Sequence, residues 1–290
     1  MTDGTTKTKG MHKHEPLRIM SDHAKSDTKG TVIALFIKGV LPLIILLGIW
    51  QLIAALIGTG SLLEVANAFI RLSTQGDPEG RLLIVHTIIS LYRVGLGFFV
   101  AVITAIPLGI AMGRYRFAES VVSPVMEAMR PIPPIAWIPM ALLLFGNLYF
   151  LVPQVTFAQI FIIWIGAFFP ILLNTIAGVK RTDPVHLEVV RTFGANEIQI
   201  LRKVVIPSAA PEVFAGLRIG FGIGWMCLVA AEIIGKGLGL GYLIDLAYSL
   251  GLTGEMISGM LVIGVIGFII SFAFLIIEKQ LLVWRREVSI

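Results

Sequence analysis

The chain is short of charge, of cysteine and of any soluble stretch long enough for an ATPase domain. Only 14% of its 290 residues are charged, against 56% hydrophobic, and its mean hydropathy is +0.89. A soluble domain is nearer a quarter charged, so a lipid-embedded class follows before any motif is considered. The single cysteine, Cys227, lies inside an apolar run. An intrachain disulfide is excluded, no Cys/His metal spacing exists, and Cys227 itself reads as a small buried apolar residue. The excess of positive charge is modest, +5, and no basic face with interleaved aromatics marks a nucleic-acid partner. No paired His/Asp/Glu or Ser/His set falls within the apolar runs, which argues against an intramembrane enzyme. Gly235-Lys-Gly-Leu-Gly-Leu-Gly241 lacks the Ser or Thr after Lys236 and the preceding strand of a phosphate loop, so it reads as a flexible loop. No cofactor and no metal are expected. His12 and His14, in a polar tail, read as incidental rather than as metal ligands.

What is present is a series of six apolar segments, at about 33–57, 86–112, 120–146, 152–178, 209–234 and 256–282. Each is near the roughly 20 residues that cross a bilayer. Backbone groups in lipid must be satisfied internally, and the lack of strict alternation argues against a barrel, so an all-α integral membrane fold is expected. Residues 1–30 form a polar tail with no apolar periodicity. Its length ahead of a full-length apolar run speaks against a cleaved signal peptide. Residues 31–58 hold the first span, 59–85 an interfacial segment, 86–283 the core, and 284–290 a short tail. Within 59–85, Ser61–Ser73 is apolar at helical spacing and too short to span.

Alternate loops differ in charge. Lys29 and Lys38, Arg114 and Arg116, the run Lys180 to Lys203, and Arg285 and Arg286 fall on one side. That side is assigned to the cytoplasm, with both termini. His86 and Tyr92 read as interface anchors at a span start. Small-xxx-small pairs at Gly109/Gly113, Gly216/Gly220 and Gly220/Gly224 predict close helix contacts.

Three places stand out. The first is a polar insert at 183–207. Asp183-Pro184 is a helix start, Glu188 and Arg191 share a helix face, and Gly194 is a stop. Asn196-Glu197 restarts a second short helix, and Pro207 is expected to end the element before the next span. The insert is either a compact knob for a soluble partner or a connector laid on lipid headgroups; physics alone does not separate them.

The second place is Arg130-Pro-Ile-Pro-Pro-Ile-Ala-Trp-Ile-Pro139. Pro131, Pro133, Pro134 and Pro139 break an expected span. Such breaks are tolerated at membrane depth where they are buried in protein or line a wet cavity. Arg130 at the break either lines a path and attracts an anion, or pairs with Glu127 or Glu232. The third place is Glu232, an intramembrane charge that pairs with Arg130 or Arg93 or belongs to a gate. Trp137 is a further candidate for the path, although Trp137, Trp164 and Trp225 all suit helix packing.

The insert resembles the "EAA" loop of ABC-importer permeases: Glu188, Gly194 and Pro207 stand in register, with Val189, Val190, Val204 and Ile206 as mild departures in volume. Arg130–Pro139, Gly166-Ala-Phe-Phe-Pro-Ile-Leu-Leu-Asn-Thr-Ile-Ala-Gly178 and Gly224-Trp-Met-Cys-Leu-Val-Ala-Ala-Glu232 resemble the nitrate/sulfonate/taurine/bicarbonate branch of that family. The likeness runs from about residue 60 to the C-terminus. It implies a type I importer permease fold of about six transmembrane helices in the cell inner membrane. It also implies a non-catalytic subunit that pairs with a second copy of itself, with cytoplasmic ATP-binding subunits below and a solute-binding protein outside. Coupling to the ATPase falls on Glu188, Arg191, Gly194, Ala195 and Pro207. The path candidates are Arg130, Pro131, Pro133, Pro134, Trp137 and Glu232, for a small anion or sulfonate-like solute. An ion-coupled secondary carrier is the alternative class. It wants midplane acidic residues and inverted repeats; the first are few and no clear repeat is visible.

Overall fold

A computed structural model describes residues 41–281 apart from 43, 147, 151 and 236. The tail histidines, Lys29, Lys38, Lys236, Arg285 and Arg286 lie outside the described residues. The chain divides into two units, residues 1–62 and 63–290. In the first, helix α1 (Ile44–Ile57) is capped by its own following turn. Trp50 Nε1 donates to Gly60 O at 3.1 Å, and the Leu62 N–H donates to Gln51 Oε1 at 3.1 Å.

The second unit takes in α2 (Leu62–Thr74) from Leu63 onward, at the position expected for a short apolar helix, and continues with α3 (Leu83–Arg114) and α4 (Arg116–Met129). Next come a 3-10 turn (Pro134–Trp137), α5 (Ile138–Phe145), and a hairpin of β1 (Tyr149–Phe150) and β2 (Val152–Thr156). The chain goes on through α6 (Phe157–Lys180), α7 (Pro184–Thr192), α8 (Glu197–Ile200), a π turn (Leu201–Val205), α9 (Ile206–Gly235), α10 (Leu240–Ser249) and α11 (Thr253–Leu281). Among the described residues four helical stretches are long and apolar enough to span: Leu83–Arg114, Phe157–Lys180, Glu197–Gly235 and Thr253–Leu281.

Three expectations change. The segment expected at 120–146 is not one continuous helix: α4 and the Pro134–Phe145 stretch pass the length and hydropathy test for a span together, but meet at 87° at the proline break. Prolines at 131, 133 and 134 remove three backbone donors within four residues, and Pro133 is extended at φ −60°, ψ 139°. Pro139 disrupts nothing, because it lies in the first turn of α5, where no N–H is required. The segment expected at 152–178 starts later, at Phe157. Residues 149–156 close an antiparallel hairpin instead, with Tyr149 opposite Thr156. Thr156 and Gln159 then form a reciprocal capping box that fixes the helix start. Pro207 does not end the insert. The helix passes through it, because the π turn before it shifts the bonding pattern: the Ile206 N–H reaches Leu201 O, five residues back.

Helix α6 is the axis of the core. It packs on α3 on one side and α9 on the other. Glycines make both seams. A methyl group on Gly109 would lie 2.7 Å from Thr175 Cβ, and one on Gly113 2.6 Å from Val179 Cβ. On the other seam, a methyl on Gly216 would meet Asn174 Cβ at 2.7 Å and one on Gly220 would meet Ala167 O at 2.9 Å. Gly224 has more room, 3.5 Å. Cys227 is buried, with its Sγ over Gly166. In α11 the most apolar stretch contributes none of its residues to the interior, as for a helix that faces lipid.

Candidate functional site

The insert folds as a knob between α6 and α9. Asp183 caps α7, its Oδ1 accepting the Val185 N–H at 2.8 Å, with Pro184 at the first position. The helix ends in a Schellman motif. Gly194 is left-handed at φ 77°, its N–H donates to Arg191 O at 2.9 Å, and the Ala195 N–H reaches back to Val190 O at 3.1 Å. Asn196 and Gln199 form a second capping box that starts α8. Leu187, Val190 and Ala195 turn inward onto buried Val179, Ile200, Val205 and Ala209. That apolar seat fixes the knob to the ends of α6 and α9.

Charge braces it to α3. Glu197 accepts from Arg114 at 2.7 Å and from Arg191 at 3.2 Å. The Arg114 hydrogen bond is the larger influence holding the Glu197 carboxyl below the ordinary carboxylate range. Glu188 is exposed, and its carboxylate makes no ion pair among the described residues. The outward face of the knob is apolar. Val185, Val189 and Phe193 recur every four residues along α7, and Ile198 follows on α8; all four are exposed, Phe193 to 86%. The four-residue spacing was the available signal.

At the proline break, Arg130 is the C-cap of α4 and its side chain is exposed. It pairs with neither Glu127 nor Glu232, and makes no ion pair among the described residues. Pro131 and Pro133 are exposed and Pro134 is half-buried. Trp137 packs edge-on against Phe161 at 6.3 Å, and its buried Nε1 has no partner among the described residues. Trp164 and Trp225 are helix-packing residues whose indoles donate to Thr104 Oγ1 and Ile263 O.

Glu232 lies at the end of α9 remote from the knob, 1% exposed. Of its expected partners the structure joins Arg93, at 2.7 Å. Ser90 donates to the same carboxylate at 2.8 and 2.9 Å, and the Gly241 N–H donates to Oε2 at 2.9 Å. One turn away, buried His86 sits between Asp77 Oδ2 at 3.1 Å and the Gly239 backbone. His86 is therefore not an interface anchor: its ring is 0% exposed. The glycine loop expected to be flexible is tied down at several described residues. Arg81 donates to Gly237 O at 2.8 Å, Arg93 to Leu238 O, and the Leu240 N–H to Ser90 Oγ at 2.9 Å. The missed signal was positional, since His86, Ser90 and Arg93 fall at i, i+4 and i+7 on one face of α3.

Residues 105–282 match the family described as binding-protein-dependent transport system inner membrane component. The chain is 45% identical to an ABC transporter permease protein of Methanocaldococcus jannaschii over 82% of its length and 88% of the relative's. It is 34% identical to the taurine transport system permease protein of Escherichia coli, over 85% of this chain and 89% of that one. It is 31% identical to the nitrate import permease protein of Synechocystis, over 81% and 85%. Among solved structures, a chain of the MetNI methionine ABC transporter in an inward-facing conformation superposes with a TM-score of 0.57. That match covers 68% of this chain and 95% of the other at 21% identity, a likeness of fold. Sequence and fold agree, and the chain belongs to the family of inner membrane components of binding-protein-dependent transport systems.

Proposed function

We propose that this chain is the non-catalytic permease subunit of an ATP-driven importer, that two copies form one path, and that the path carries a small anion or sulfonate-like solute. The observation that carries the coupling role is the knob: a rigid element with an exposed apolar stripe at the charged end of an otherwise oily bundle. A connector resting on headgroups has no use for two capping motifs, a Schellman turn and a three-residue ion bridge to α3. A docking element does, because a partner's push is transmitted only through a part that does not yield. The partner is a cytoplasmic ATP-binding subunit. Val185, Val189, Phe193 and Ile198 supply the apolar contact, Glu188 and Arg191 the polar rim, and Gly194, Ala195 and Pro207 the shape.

The solute class follows the relatives, which are named for taurine, nitrate, aliphatic sulfonates and bicarbonate. Arg130 fits that class: an exposed cation with no ion pair among the described residues, at a break in a membrane helix, is a place where an anion replaces water. Pro131, Pro133, Pro134 and Trp137 shape the break. Glu232 is the least suited of the path candidates, since its carboxylate is buried and already accepts from three residues. By loop charge the knob and both termini face the cytoplasm, and the Glu232 end faces the extracytoplasmic solute-binding protein. Lipid covers α11. Membership of the binding-protein-dependent family speaks against the ion-coupled carrier.

Co-purification with co-expressed ATP-binding subunits, followed by reconstitution with the binding protein in vesicles, tests this reading. ATP-dependent uptake of labelled taurine or nitrate, lost on Phe193→Asp, is the expected result. A chain that accumulates solute on an ion gradient without an ATPase overturns it. Arg130→Ala is expected to lower anion uptake in an assembled complex; unchanged rate and selectivity remove Arg130 from the path.

A further inference from the structure

The polar cluster at the Glu232 end has no role in the docking or the path just described. It is nonetheless densely bonded: Glu232 accepts from Arg93, Ser90 and the Gly241 N–H in a buried setting. Its location is informative. Glu232 lies 26 residues along α9 from Ile206, so roughly 40 Å separates the cluster from the knob at 1.5 Å per residue. The cluster shares two of the helices that hold the knob, α3 and α9. Arg114 on α3 braces the knob, and Ser90 and Arg93 on α3 hold Glu232.

What the cluster fastens is α10. This ten-residue helix follows two glycines in left-handed or extended-positive conformations, Gly237 at φ 117° and Gly239 at φ 132°. Such a linker has no stiffness of its own. The first turn of any helix leaves N–H groups without intrahelical acceptors, and a side chain just before the helix normally takes them. Here Gly239 stands at that position and has no side chain. The Leu240 N–H is taken by Ser90 Oγ from α3, and the Gly241 N–H by Glu232 Oε2 from α9. The cap of α10 is thus built from two other helices. A side chain at Gly239 would strike the Glu232 carboxylate, and one at Gly241 would lie 2.6 Å from Val229 O, so the approach is close on both sides. His86, itself held by Asp77, adds a bond to the Gly239 backbone. A buried ion pair is a poor device for stability alone, because apolar residues of similar volume do as well or better. Its strength is directional. It holds one geometry.

We propose that Ser90, Arg93 and Glu232 are positioning residues for transport: their buried clamp welds α10 to the α3–α6–α9 core, so that movement imposed at the knob reaches the far mouth as a displacement of α10. The glycine seams of α6 with α3 and α9 make the intervening length one body. The proposal rests on the two-copy permease reading above.

The test uses the full complex with its ATP-binding subunits. In a Cys227→Ser background, Tyr248→Cys places one spin label per copy on the exposed side of α10; Tyr248 is 73% exposed. The label-to-label distance is recorded without nucleotide and with Mg-ATP, beside the rate of ATP hydrolysis. The parent is expected to show an ATP-dependent shift. In the volume-matched R93M/E232M variant that shift is expected to fall at least two-fold while hydrolysis continues. Ser90→Ala, a smaller lesion that keeps the ion pair, is expected to give a lesser loss and stands in if the double variant does not assemble. No shift in the parent, or a full shift in Ser90→Ala and in any assembled R93M/E232M complex, overturns the clamp. Failure to recover an ATPase or a second copy overturns the permease reading instead, so the two failures are distinct.

Discussion

The two ends of the bundle are held by opposite means. At the knob, shape comes from local rules: caps, a left-handed glycine and a small apolar seat, with polar groups left in water. At the far end, shape comes from long-range side-chain bonds inside a dry interior, between residues more than a hundred positions apart in the chain. The difference matches the roles proposed for the two ends. A docking surface needs an ordered backbone and free side chains to offer a partner. A joint between membrane helices needs its polar groups spent on one another, because lipid offers them nothing.

Removing one side of the clamp gives the largest expected effect. Glu232→Ala takes the buried carboxylate away from the Arg93 guanidinium, which keeps its bond to Leu238 O, and from the Gly241 N–H, at a cost of about 3–5 kcal/mol. Thermal unfolding of the purified complex in detergent measures it, and a change within error dismisses the cluster as a tight joint. Phe193→Ala comes next. It leaves the fold intact and weakens ATPase binding by about 2 kcal/mol, or about 30-fold, if the stripe is an anchor. Titration of the ATP-binding subunit reads this directly. If Phe193→Ala instead lowers only the affinity for lipid vesicles, the knob is a headgroup contact and the contrast between the ends dissolves.

Gly194→Ala is smaller still. Nothing lies within 4 Å of the added methyl, so the penalty is the left-handed backbone alone, about 1 kcal/mol. It is read as faster amide exchange across residues 184–200. Acidification has the least effect. The Glu197 carboxyl lies below its ordinary value, so the brace it makes is fully present above that value and is lost only as pH falls through the lower folded one. Knob protection is therefore expected to be flat across the neutral range and to weaken only in acid; a loss near neutrality would point to a different group.

Much of the knob was legible in the chain. Asp183-Pro184, Gly194 and Asn196 are local signals, and local signals act through bonds only a few residues long. Pro207 was misjudged for the converse reason. Proline removes one donor, but a π turn upstream absorbs the loss, and nothing at 207 announces it. The hairpin at 149–156 was missed because an apolar strand and the start of an apolar helix look alike by hydropathy. The clamp was nearly invisible. His86, Ser90 and Arg93 share a helix face, but their partners come from Asp77, Glu232 and a glycine loop that has no polar side chains to betray it.

By itself the sequence determined the membrane class, the apolar segments, the family and the start and stop of the short helices of the insert. These follow from transfer energy and from hydrogen bonds closed within a few residues. Only the tertiary structure decided which charge Glu232 meets, that the glycine loop is fastened, that Arg130 is unpaired among the described residues, and which face of the knob is bare. Those are questions of which helix lies beside which. The answer is set by the glycine seams, where a missing side chain brings two backbones together and so selects the neighbours of every charge beyond them.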